Sequence, residues 1–206
     1  MVLWNLVPSS DKKLLHLPTY TDRVHLENPL AKELLSLSLS RFLTNTNYTP
    51  GRELVILCIG TDRSTGDSLG PLTGSKLFNY GLLHTSIYGT LDQPVHAANL
   101  AENLAIIGKK HDHPLILAID ACLGKTDNVG YISVKEGPLR PGTGVNKDLP
   151  AVGDLHMIGV VNVGGFMEYL VLQNTRLSLV MRMADIISGA IYQSVSQLAR
   201  HAQGCP

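Results

Sequence analysis

A chain of 206 residues with no formal net charge, 17 Lys and Arg against 17 Asp and Glu, is long enough to bury one substantial core without cross-links. Apolar residues at 44% against 17% charged exclude a disordered chain. The neutral balance and 5% aromatic content exclude a basic, base-stacking nucleic-acid surface.

Residues 1–27 carry Pro8 and Pro18 and read as an irregular N-terminal arm, and 28–206 as a single domain. Leu30, Leu34, Leu35, Leu37 and Leu39 partly follow a helical stripe from Pro29 to Leu43, and Asn45 to Gly51 is a loop. The run Leu54 to Ile59 predicts a buried strand, followed by the loop Gly60 to Pro71 and a helix from about Leu69 to Tyr80 that Gly81 ends. A short strand near Ile87-Tyr88 and a helix from about Val95 to Gly108 come next. Pro114 to Ile119 predicts a second buried strand, ending at Asp120, and Gly130 to Val134 an edge strand with weak alternation. Residues 137–153, rich in Gly and Pro, form a long loop; Leu155 to Val163 is a last strand, and Leu177 to about Ala199 a long amphipathic helix. Strands alternating with helices predict an α/β fold, a three-layer α/β/α sandwich around a mostly parallel sheet.

Two aspartates stand just beyond the two main apolar runs, Asp67 in the first loop and Asp120 after the second. Open α/β sheets place ligands outside the carboxyl ends of their strands. Two carboxylates brought together there would repel, so that one holds a proton at neutral pH while the other acts as a base. Each residue also has a plain structural reading: Asp67 as the N-cap of the following helix, Asp120 as a strand-end turn residue bonded to backbone amides. The loop is not a phosphate-binding loop, since five residues separate Gly60 from Gly66 and Asp67 stands where the lysine belongs.

Cys58, Cys122 and Cys205 have no disulfide or zinc spacing and fit a reducing compartment. Cys122 reads as a small residue packed beside the site, its thiol pKa raised by the neighbouring carboxylate. His111 and His113 read as part of a polar surface turn at the opposite edge of the sheet; Lys125 and Lys147 have two readings, as cations that neutralise the acids or grip a substrate carboxylate, or as solvated loop residues. There is no Gly-x-Ser-x-Gly elbow for a serine nucleophile. No apolar run reaches the roughly 18 residues of a membrane span, and Asp11-Lys12-Lys13 interrupts any signal peptide. The expectation is a soluble cytoplasmic protein without nucleic-acid or membrane partners, its low charge compatible with a homo-oligomer.

The segments Ile59-Gly60-Thr61, Thr65 to Pro71, Ile119-Asp120-Ala121, Pro141 to Lys147 and Ile158-Gly159-Val160 resemble the spore germination protease family. That family in turn resembles the hydrogenase maturation proteases. Residues 25–200 as a whole look like the YyaC-type sporulation proteins, small relatives of the germination protease. The resemblance implies a phosphorylase/hydrolase-like fold, a place in the sporulating cell or spore, and a peptide or protein substrate. It makes Asp67 and Asp120 a catalytic pair that activates water for peptide cleavage without a cofactor. Thr61, Arg63, Ser64, Gly142, Thr143, Gly144 and Lys147, on two loops, would grip the peptide backbone. In the maturation proteases a histidine completes a nickel-binding trio; His156 is the candidate here, but its local pattern does not match and it reads as structural. The chain lacks the propeptide and insertions of the germination protease, which keeps a second reading open: a non-catalytic sporulation protein that binds peptide or protein in the same crevice.

Overall fold

The computed structural model describes residues 21–49, 52–142 and 149–202. In chain order the elements are β1 (Arg23–His25), α1 (Ala31–Asn45), β2 (Leu54–Cys58), α2 (Leu69–Tyr80), β3 (Thr85–Tyr88), α3 (Leu100–Lys110), β4 (Leu115–Gly124), β5 (Tyr131–Glu136), β6 (Leu155–Val163), α4 (Glu168–Gln173) and α5 (Leu177–Ala202). The strands form one six-stranded sheet in the order β1-β5-β6-β4-β2-β3. β3, β2, β4 and β6 are mutually parallel, whereas β5 runs antiparallel to β6 and β1 antiparallel to β5.

The apolar runs are continuous because both faces of the central strands are covered. All of Leu54–Cys58 is buried. Leu54, Ile56 and Cys58 join α1, α2 and α5 in one core, while Val55 and Leu57 join Leu100 and Ile107 of α3 in a second. Along α5, Val180, Met183, Ala184, Ile187, Ala190, Ile191 and Val195 recur at helical spacing and are all buried against the sheet. Helices on both faces of a mostly parallel sheet give the α/β class that the alternation of elements predicts. Gly81, at φ 62°, ends α2 in the left-handed conformation that glycine adopts most easily.

The differences from expectation are local. Of the arm, residues 1–20 lie outside the described residues, but Arg23–His25 forms a true edge strand that three residues are too few to signal. Its pairing makes β5 an interior strand rather than an edge. α3 begins at Leu100, not Val95, because Val95 is committed to a bridge with Ile59. β4 continues to Gly124 instead of stopping at Asp120, since β6 pairs with it over its whole second half. Among the described residues no helix is long and apolar enough to cross a membrane.

Candidate active site

The connection from β2 leads to β3 on one side, and β4 lies on the other, so the crevice between β2 and β4 is the topological switch point of the sheet. Cys58, the last residue of β2, pairs with Ile119, and the Ile59 N–H donates to Ile119 O at 2.7 Å. One residue on, Asp120 faces Ile158 of β6 in register, so it lies inside β4 at the level where β2 has already ended. By strand alternation it shares a face with Ile116 and Ala118, the side that α3 covers over β2.

Asp67 reaches the same place through the loop. Gly60 has φ 146°, and a Cβ there would sit 1.9 Å from the Asp67 carbonyl oxygen. The Thr61 N–H donates to that same oxygen at 3.2 Å, folding the loop back onto the end of β2. A Cβ on Gly70 would lie 2.0 Å from Ile59 O, so the first turn of α2 rests directly on the strand end. The carboxylate of Asp67 is not a cap: Ser68 holds the N-cap position, no side-chain cap bond is made, and the Ser68 hydroxyl donates to Thr65 O at 2.7 Å.

Both carboxyl groups are half-buried, and both titrate above the ordinary range. For Asp67 the cause is burial. Asp120 is pushed well above its usual value by burial first and by the negative charge of Asp67 second, against which one hydrogen bond from the Ala121 N–H, 2.9 Å, pulls only partly. The two acids therefore sense each other across the crevice, and Asp120 is the one that keeps its proton longer. Cys122, two residues along the same face, has a thiol pKa pushed up to about 11 by burial and then by Asp120.

Of the residues expected to grip substrate, Thr61, Arg63 and Ser64 lie in the loop beside Asp67. Arg63 is exposed, and its N–H donates to Thr61 Oγ1 at 3.3 Å. Ser64 is buried at 4% exposure, and its hydroxyl has no hydrogen-bond partner among the described residues. Gly142, at φ 72°, ends the described part of its loop; Thr143, Gly144 and Lys147 lie outside the described residues.

A nickel trio of the maturation-protease kind needs a third donor beside the aspartates. Among the described residues no three His, Cys, Asp or Glu side chains come together in a metal-holding group. His156 is on the right face but pairs with Ala118, two residues short of Asp120, and its Nδ1 lies 2.8 Å from Gly137 O. The residues present do not fit that trio.

Two features were not anticipated. His111 is buried at 5% exposure rather than part of a surface turn: Glu53 Oε2 lies 2.8 Å from its Nδ1, and the Tyr88 hydroxyl 2.7 Å from its Nε2. The local sequence around His111 is polar and gives no sign of partners 58 and 23 residues away; His113 alone is the exposed turn residue. The second is α4, which is bonded to the aspartate loop through Gly66 N–H to Leu172 O at 2.8 Å. A glycine at 66 is needed there, since a Cβ would lie 2.7 Å from Leu172.

Comparison with known proteins bears on the family and the fold. The chain is 51% identical over 164 residues, 80% of its length and 78% of the relative's, to the uncharacterized protein YyaC of Bacillus subtilis (strain 168). Its structure resembles the crystal structure of a [NiFe] hydrogenase maturation protease, HycI, from Thermococcus kodakarensis KOD1, with a TM-score of 0.51 over 77% of this chain and 98% of that one. At 16% identity the second likeness is one of fold. A family model described as protein of unknown function, DUF1256, matches residues 23–190, and the chain belongs to that family.

Proposed function

We propose that this protein is a peptidase-like hydrolase of the sporulating cell in which Asp67 and Asp120 act as base and acid around a water molecule. The observation that carries the reading is the pair itself: two carboxyl groups at the switch point of the sheet, both with raised pKa and one raised by the other. Asp67, the less perturbed, ionises first and takes a proton from water as the oxygen attacks the peptide carbonyl carbon. Asp120, still protonated, gives its proton to the departing amine as the C–N bond breaks. The unpartnered hydroxyl of Ser64 and the fork of Arg63, on the loop that carries Asp67, supply hydrogen bonds to the peptide backbone. The maturation-protease fold supports a proteolytic role, and the sporulation setting rests on the resemblance to YyaC-type proteins.

The test is cleavage of a peptide library by the full chain, read by mass spectrometry over pH. Acid–base catalysis predicts a bell-shaped profile, its acidic limb set by Asp67 and its basic limb by Asp120, and a loss of about 10²–10⁴-fold in Asp67→Asn. Peptide that binds uncleaved, and binds equally to Asp67→Asn, would replace hydrolysis with a non-catalytic binding role for the same crevice.

A further inference from the structure

The rim of the crevice carries a concentration of exposed apolar side chains that the aspartate chemistry does not use. Between the end of β6 and the start of α5, Val163, Phe166, Met167, Tyr169, Leu170 and Leu177 are all exposed, Phe166 at 91% and Tyr169 at 62%. Phe166 follows Gly164-Gly165, and Met167 holds a left-handed conformation at φ 58° that an unbranched apolar residue adopts only at a cost. The backbone here turns these side chains outward. From their fractional exposures they present on the order of 600 Å² of apolar surface, at the upper end for the largest patch on a monomer. That is close to the ~800 Å² that each partner contributes to a stable interface.

Charge says which partner fits. Glu168 opens α4, and Arg176 lies three residues beyond the end of α4, where its carbonyl accepts the first hydrogen bonds of α5. One oxygen of Glu168 accepts the Gly165 N–H at 3.3 Å, and no described carboxylate pairs with Arg176. An apolar patch that carries one negative and one positive side chain at separate points complements a second copy of itself across a two-fold axis. We propose that this patch is a two-fold interface, with α4 of one protomer packed antiparallel on α4 of a second copy, and Glu168 of each facing Arg176 of the other. The pairing buries Phe166, Met167, Tyr169 and Leu170 at its centre and leaves the charges at the rim, the usual anatomy of a specific interface. Because α4 is bonded to Gly66, the interface would hold the aspartate loops of the two copies on a common rim. The proposal does not depend on whether Asp67 and Asp120 are catalytic.

Sedimentation equilibrium of the full chain over a wide concentration range tests it. The expected result is a species of twice the 22.3 kDa chain mass. Phe166→Asp with Tyr169→Asp, both at exposed positions, yields a monomer with an unchanged thermal midpoint. Glu168→Arg alone and Arg176→Glu alone each weaken the dimer about tenfold through like-charge contacts, and the two changes together restore it. A wild-type chain that stays monomeric overturns the proposal. So does a dimer that survives Phe166→Asp with Tyr169→Asp but falls apart in Phe78→Asp, which would move the interface to the exposed Phe78–Leu83 corner. Charge reversals that weaken association without mutual rescue overturn the antiparallel arrangement.

Discussion

Replacing Asp120 by Asn removes a charge while leaving shape and hydrogen bonding nearly intact, which makes the sign of its effect on stability informative. Asp120 Oδ1 accepts one backbone N–H, from Ala121 at 2.9 Å, and an Asn oxygen can accept the same bond. What the substitution deletes is the cost of ionising a buried carboxyl beside Asp67. A group whose pKa is raised by folding binds its proton more tightly in the native state, so it favours folding below its unfolded pKa and loses that contribution as pH rises through the folded value. An ordinary aspartate carboxyl titrates at 3.8 and the folded value lies well above it, so wild-type stability falls with rising pH in the window above 3.8. Asp120→Asn does not feel that fall. The variant should be more stable than wild type at pH 8, by about 0.5–2 kcal/mol as is common when a costly functional residue is neutralised. For a chain of this length that is a rise of about 1–8 °C in thermal midpoint. Below pH 3.8 both proteins carry a neutral side chain at 120 and the gain should vanish. Urea and thermal unfolding of both proteins across this range is the assay. A variant destabilised at pH 8, or a gain that persists unchanged in acid, would refute the claim that burial and Asp67 raise the Asp120 pKa.

Gly60→Ala must force a methyl group against the Asp67 carbonyl at φ 146°, and should cost about 3 kcal/mol or more in chemical denaturation. Gly81→Ala, also at positive φ but with nothing within 4 Å, should cost about 1 kcal/mol, separating conformational strain from collision. His111→Ala strips Glu53 and Tyr88 of their shared partner and should lower stability by about 1–3 kcal/mol in urea unfolding, with no effect on peptide cleavage. The Cys122 thiol, its pKa about 11, is thiolate in about one part in a thousand at pH 8; iodoacetamide should label it slowly, and faster in Asp120→Asn, which removes the charge that helps raise it.

The sequence makes the aspartates legible because each follows a continuous apolar run bounded by turn residues, the mark of a strand covered on both faces. The long amphipathic stripe of α5 and the Gly81 stop are visible for the same reason: a strong local pattern matches what the fold requires. Elements fixed by their neighbours leave no such trace. β1 exists because three residues find an open edge on β5, and β4 runs on past Asp120 because β6 accompanies it. Neither cause is written in the segment itself. The same holds for His111, whose two partners arrive from β3 and from the residue before β2, and for α4, a six-residue helix too short to show a period.

That Asp120 lies inside a strand and not at its end bears on how the site should be understood. A turn aspartate satisfies its oxygens with several backbone amides and is lowered in pKa by them. Asp120 makes one such bond, and no cation of the described residues is among the influences on its titration. An asparagine or serine could make the same contact with the Ala121 N–H without meeting the charge of Asp67. The fold therefore carries an acid where a neutral residue would be less costly, next to a second acid that increases the cost. Stability alone does not account for that choice. The proton transfer proposed for the pair would account for it, because that chemistry needs one acid to stay protonated after the other has ionised.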